Sequence, residues 1–226
     1  MKKSRLSRIE IAALIVAAIF ACLFLGLTIL VKNDVFVNLN REIYDAIASL
    51  INPFLTGAMI AVSYSGEWYV WLGLALILSV FAKTRPGFGW PTLLATLASG
   101  ALAIVTKDLF QIARPHIHWL VQEVGYGFPS GHAAISTAFV ATFLYFFLCS
   151  RSQKPWKIFV AVVAILWIIT ISFSRIYLGV HSSTDVLSGI FAGIFVAAAV
   201  IFTKEIWRKK VRQTWRQSRR DGLEKK

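Results

Sequence analysis

Long apolar stretches recur along this chain, and a run of about 20 such residues has the length of a bilayer crossing. Five are clear: Ile9 to Val31, Trp90 to Thr106, His132 to Cys149, Trp156 to Phe173 and Val186 to Thr203. A sixth, Trp68 to Ala82, is shorter, but Pro53 to Tyr64 before it lets the region hold one crossing plus a short half-buried helix. With 57% hydrophobic residues and a mean hydropathy of +0.66, a soluble domain would carry more apolar side chain than its core could hide. The expected fold is therefore all-α: a polytopic membrane protein, one bundle of six transmembrane helices over 1–226 with a basic tail from about 204. No internal repeat, low-complexity tract or long linker divides it.

A formal net charge of +13 could indicate a nucleic-acid partner, but the distribution argues otherwise. With the N-terminus inside and six crossings, 19 of the 24 basic residues fall on the inner side: Lys2, Lys3, Arg5, Arg8, Lys83, Arg85, Arg151, Lys154, Lys157 and ten from Lys204 onward. Lys32, Arg41, Lys107, Arg114 and Arg175 remain outside. This positive-inside asymmetry predicts cytoplasmic termini and a tail, with Trp207 and Trp215, lying as a helix against anionic lipid. No nucleic acid and no obligate protein partner are expected. The first span follows a basic start as a signal peptide would, yet its apolar run is long and lacks a small-residue cleavage pattern, so it reads as an uncleaved anchor. Cys22 and Cys149 lie in apolar spans and read as packing residues.

Three of the expected outer ends collect an unusual set of polar residues. Lys107 and Arg114 are seven apart, two helical turns, and share a face if the helix continues to Arg114, with Pro115 ending it. Pro129-Ser130-Gly131-His132 opens the fourth long apolar run; Ser130 is a credible N-cap, and Gly131 lets a bound group approach amides at a helix N-terminus. Ser174-Arg175 precedes His181 and Asp185, which are four apart, so that the carboxylate can accept an imidazole N–H and leave the other nitrogen bare. Together these supply three cations, hydroxyl and amide donors, an acid and an oriented nucleophile. Phosphoryl transfer needs that combination: charge for the equatorial oxygens, one group to attack in line and one to protonate the departing oxygen. Asp108, Glu123 and Asp185 are too scattered to make a carboxylate metal site. Trp119, beside the cluster, is a candidate site lining; His116 and His118 are candidates for a second phosphate or plain loop residues.

Lys107 to Arg114-Pro115, then Pro129-Ser130-Gly131-His132, then Ser174-Arg175 to His181 to Asp185 resembles the three-part signature of the type-2 phosphatidic acid phosphatase superfamily. No fixed position departs from it. The resemblance implies that His181 attacks phosphorus and becomes phosphohistidine, with Asp185 holding its ring. His132 would protonate the leaving oxygen and then activate water. Lys107, Arg114, Ser130, Gly131 and Arg175 would bind the phosphoryl oxygens. It implies no metal and no cofactor, and a site open to the outside and the lipid of a bacterial plasma membrane. The likeness is to the short bacterial membrane branch that includes phosphatidylglycerophosphatase B and undecaprenyl pyrophosphate phosphatase. The expected substrate is a lipid phosphate: undecaprenyl pyrophosphate first, phosphatidylglycerophosphate a close second, with phosphatidic acid also in range. Two rivals stand beside it, a transporter of a phosphorylated lipid or anion and a haloperoxidase with vanadate in the same cradle.

Overall fold

The computed structural model describes residues 6–81 and 85–223. Lys2, Lys3, Arg5, Lys83, Lys225 and Lys226 of the charge pattern, and Ala82 at the end of the short span, lie outside the described residues. Among those described there is no strand, and eight α-helices follow in order. These are α1 (Arg8–Lys32), α2 (Val37–Ala48), α3 (Pro53–Ser65), α4 (Trp68–Val80), α5 (Trp90–Phe110), α6 (Gly131–Leu148), α7 (Lys154–Tyr177) and α8 (Ser183–Leu223). Local sequence explains several starts. Ser7 and Glu10 form a capping box, Ser7 Oγ accepting the Glu10 N–H at 3.2 Å and Glu10 Oε2 accepting the Ser7 N–H at 2.7 Å. Asn52 Oδ1 accepts the Leu55 N–H at 2.9 Å, with Pro53 at the first helical position.

Five helices are long and apolar enough to cross a bilayer, and α3 with α4, bent by 45° at a short break, makes a sixth when taken as one span. Ile15, Leu25, Leu94, Leu166 and Ile169 stand outward and exposed, an arrangement stable in lipid and costly in water. The chain is thus an all-helical membrane protein.

α6 and α8 form the centre. Along α6, Ala133, Ala134 and Ala138 are fully buried, and α8 meets them with glycines. A Cβ on Gly189 would lie 2.5 Å from the Ser130 carbonyl oxygen, and one on Gly193 2.6 Å from that of Ala134. Small residues four apart let the two backbones touch, the usual way to gain packing between helices that lipid does not push together. α1 lies along α8, Phe20 meeting Phe191 edge-on at 5.7 Å, and Lys209 pairing with buried Glu10 at 3.2 Å near the far end. Trp71 of α4 packs on Phe139 of α6.

Two expectations change, and one helix appears that no apolar run marks. α5 stops at Phe110, because Gln111 takes the left-handed conformation that closes a helix (φ 50°), so the helix does not carry Arg114. The segment after α1, where the sequence offers no spanning run, is helical. It holds α2, whose Asn40, Ile43, Tyr44, Ile47 and Ala48 form a half-buried stripe at helical spacing. The basic tail is not a separate surface helix, since α8 runs unbroken for 41 residues, about 60 Å and twice the hydrocarbon thickness.

Candidate active site

The end of the bundle where α5 and α7 finish and α6 and α8 begin gathers all three polar segments. His181 sits two residues before α8, and Asp185 in that helix's first turn. Both are almost fully buried. His181 Nδ1 is 3.5 Å from Asp185 Oδ2, a carboxylate oxygen that also accepts the Ser182 N–H at 2.8 Å. Nε2 is 3.2 Å from Arg114 Nη1. A guanidinium only donates, so a neutral ring must present its Nε2 lone pair there and keep its proton on Nδ1, facing the carboxylate. Burial, then the charges of Arg175, Arg114 and Lys107, hold the His181 imidazolium well below the usual histidine range. The ring is therefore neutral, with Nε2 unprotonated.

Arg114 arrives from the segment after α5, not from a helix face shared with Lys107. It is buried and fully used: Nε donates to Gly125 O, Nη1 to Val180 O, and Nη2 to Val124 O and Glu123 Oε2. Lys107 Nζ donates to Tyr126 O and Gly127 O. The two basic residues meet the site together because both grip the chain at 124–127. Arg175, in the last turn of α7, donates from Nη1 to Ser63 Oγ and from Nη2 to Glu123 Oε1, while its Nε is buried without a partner.

Ser130 holds the N-cap position of α6, but its side chain makes no capping bond. Its Oγ is buried and unpartnered, and its N–H donates instead to Asp185 O at 3.0 Å. That bond ties the second segment to the third. A Cβ on Gly131 would meet nothing within 4 Å, so this helix start faces open space. His132, one residue on, has Nε2 3.5 Å from Glu67 Oε1. Buried polar atoms without partners are scarce in folded proteins; here they include Ser130 Oγ, Arg175 Nε, His132 Nε2 and His181 Nδ1, all in the three segments.

The structure also adds residues that carry no sequence signal. Glu123 bridges Arg114 and Arg175, one carboxylate oxygen to each. Burial pushes its carboxyl up, but Arg175 and Arg114 outweigh this and hold it below the usual carboxylate range. Ser63, in the last turn of α3, touches Arg175, and Glu67, on the α3–α4 break, touches His132. Trp119 does not line the site: its Nε1 donates to Pro115 O at 2.9 Å and its ring packs with Tyr177, Leu178 and Val180 beneath the His181 loop. His118 serves through its backbone, where Tyr44 donates to its carbonyl oxygen. Gly179, at φ 76°, leaves no room there for a side chain, since a Cβ would lie 2.7 Å from the same oxygen. His116 lines a cavity of about 430 Å³ between α2 and the segment after α5, together with Asn40, Arg41, Tyr44, Arg114 and His181.

An imidazole with an unprotonated nitrogen, set among three cations at one end of a lipid-facing helical bundle, is an arrangement suited to phosphoryl transfer in a membrane. The sequence profile of the PAP2 superfamily matches residues 88–208, and the chain belongs to that family of membrane lipid phosphatases. It is 29% identical to phosphatidylglycerophosphatase B of Bacillus subtilis over 185 residues, which are 76% of this chain and 87% of that one. It is 28% identical to an undecaprenyl-diphosphatase of Sulfolobus acidocaldarius over 188 residues, 79% and 86% of the respective chains. The crystal structure of the transmembrane PAP2-type phosphatidylglycerolphosphate phosphatase from Bacillus subtilis superposes with a TM-score of 0.73 at 25% identity, covering 86% of this chain and 96% of that one.

Proposed function

We propose that this phosphatase hydrolyses lipid phosphates and pyrophosphates at the extracytoplasmic face of a bacterial plasma membrane, without a metal, through a phosphohistidine on His181. Undecaprenyl pyrophosphate is the favoured substrate and phosphatidylglycerophosphate the second. The observation that carries the reading is the grip of Arg114 and Arg175 on the Glu123 carboxylate, within reach of His181 Nε2. A cradle that binds an internal oxyanion between two guanidiniums is built to bind phosphoryl oxygens.

In the first step His181 Nε2 gives its lone pair to phosphorus and the bond from phosphorus to the leaving oxygen breaks. His132 passes a proton to that oxygen, which departs as a lipid alcohol or, from a pyrophosphate, as a lipid monophosphate. Asp185 stabilises the ring as it becomes cationic, and Lys107, Arg114, Arg175, Ser130 Oγ and the Gly131 amide hold the phosphoryl oxygens. In the second step His132 takes a proton from water, the hydroxide attacks phosphorus, and the P–N bond breaks to release inorganic phosphate and His181. The cavity beside α2 adds apolar Val31, Phe36, Ile112 and Ile176 to the polar groups around Arg114, a lining suited to a head group with the first carbons of a chain. The basic residues support the outward orientation: Lys32, Arg41, Lys107, Arg114 and Arg175 belong to the site end, while Arg8, Lys154, Lys157 and Lys209 belong to the other.

Purified protein in proteoliposomes, given undecaprenyl pyrophosphate or phosphatidylglycerophosphate in parallel, tests the proposal. Phosphate release from both is expected, faster from the first. Movement of lipid phosphate across the bilayer without release would replace the enzyme by a transporter.

A further inference from the structure

We infer that Glu67, at the break between α3 and α4, is a positioning residue that orients His132 and retains its proton for transfer to the leaving oxygen. The inference rests on the acid role proposed above for His132.

Three contacts carry it. Glu67 Oε1 lies 3.5 Å from His132 Nε2, a buried nitrogen with no hydrogen-bond partner. The carboxylate takes no part in capping α4, although Glu67 occupies the N-cap position. Gly66 brings the backbone of the break directly against the imidazole, for a Cβ there would lie 2.9 Å from His132 Cδ2 and 2.7 Å from Ile171 Cγ2. One turn earlier, Ser63 Oγ meets Arg175. The break thus reaches residues of both the second and the third polar segment, and forms a fourth wall of the site.

The charges facing His132 are Glu67 from the break, Arg175 from α7 and Glu123 from the segment before α6. Arg175 repels a protonated ring. Glu67 is the carboxylate within ion-pair distance of it among the described residues. An acid must carry its proton before the leaving oxygen departs, and a neighbouring carboxylate favours that charged form. Glu67 stays ionised throughout and keeps the Nε2–H facing it; the proton on the other ring nitrogen leaves His132 and ends on the leaving oxygen as the P–O bond breaks.

The test compares Glu67→Gln, His132→Ala and the double variant in detergent, with phosphomonoesters ranging from activated phenols to simple alcohols. Glu67→Gln is expected to lose on the order of tenfold in kcat on alkyl esters and less than about threefold on activated aryl esters, with KM little changed. The double variant is expected to lose no more than His132→Ala, because the two residues act as one unit. Glu67→Asp keeps the charge but shortens its reach, and provides the same comparison if the Gln variant does not purify folded; a smaller loss with the same leaving-group trend is expected. A loss uniform across the series, an effect confined to KM, or losses that multiply in the double variant would overturn the inference. If His132→Ala itself shows no leaving-group trend, the acid role fails and the inference with it. A trend in His132→Ala and none in Glu67→Gln removes Glu67 alone.

Discussion

His181 illustrates how a single side chain can be set by its neighbours. Asp185 on one nitrogen and a donor-only guanidinium on the other leave one tautomer consistent with both contacts. Replacing His181 by Ala should reduce phosphate release by on the order of a thousandfold or more, measured under saturating lipid phosphate. As the proposed nucleophile His181 must be neutral, and burial with three cations lowers its proton affinity well below the usual histidine range. The ring is active above its pKa, so the acid limb of kcat/KM should fall well below pH 6.5, the ordinary histidine value. An acid limb at or above that value would place the titration elsewhere. Glu123 makes a third prediction at this scale. Its carboxylate occupies both arginines, and in the proposed mechanism a phosphoryl group displaces it. Glu123→Gln should therefore let vanadate or inorganic phosphate inhibit at roughly tenfold lower concentration. Weaker inhibition would mean that the carboxylate holds the arginines in place for the substrate.

At the scale of elements, the contact between α6 and α8 sets the distance between His132 and His181. Gly189 and Gly193 meet the backbone of Ser130 and Ala134, and the Ser130 N–H bonds to the Asp185 carbonyl where the helices begin. A side chain at Gly193 must push the pair apart. Gly193→Leu should cost roughly 1–3 kcal/mol of stability, read as a lower unfolding midpoint in detergent. It should also lower turnover more than a substitution of similar bulk at Gly57, where a Cβ meets nothing within 4 Å. Equal effects at the two glycines would show that the helix crossing does not govern the site. The bend between α3 and α4 belongs to the same scale, since Ser63 in the last turn of α3 and Gly66 and Glu67 at the break reach the site there.

For the whole molecule, the central question is which side of the bilayer the site faces. The site end and the last part of α8 lie at opposite ends of the spans, and basic residues are concentrated along the latter. With Cys22 and Cys149 replaced, a cysteine at Val124, on the exposed segment beside Arg114, should react with a membrane-impermeant maleimide in intact cells. One at Gln213, in the tail, should react only after lysis. The opposite pattern would invert the molecule and remove cell-surface lipid pyrophosphate as its substrate. The unbroken α8, paired through Lys209 with Glu10 of α1, also predicts that the tail remains helical just beyond the bilayer.

Much of this was legible along the chain. Apolar runs of spanning length mark five helices, because partition into lipid depends on local composition. Lys107, Arg114, Ser130, His132, Arg175, His181 and Asp185 stand out because chemistry restricts residue type and spacing within each segment. Gly189 and Gly193 could have been noticed as small residues four apart on an apolar helix. What spacing could not supply was convergence. Ser63, Glu67 and Glu123 belong to no short pattern, and they join the site because a bend, a helix crossing and an irregular segment bring them there. The end of α5 before Arg114 was hidden for a related reason: Gln111 adopts a left-handed turn while hydrogen bonds to Val124, Gly125 and Val180 draw the guanidinium inward. Local propensities select helices and bilayer partition, but the position of a buried charge depends on partners distant in sequence, and those are chosen when the helices pack.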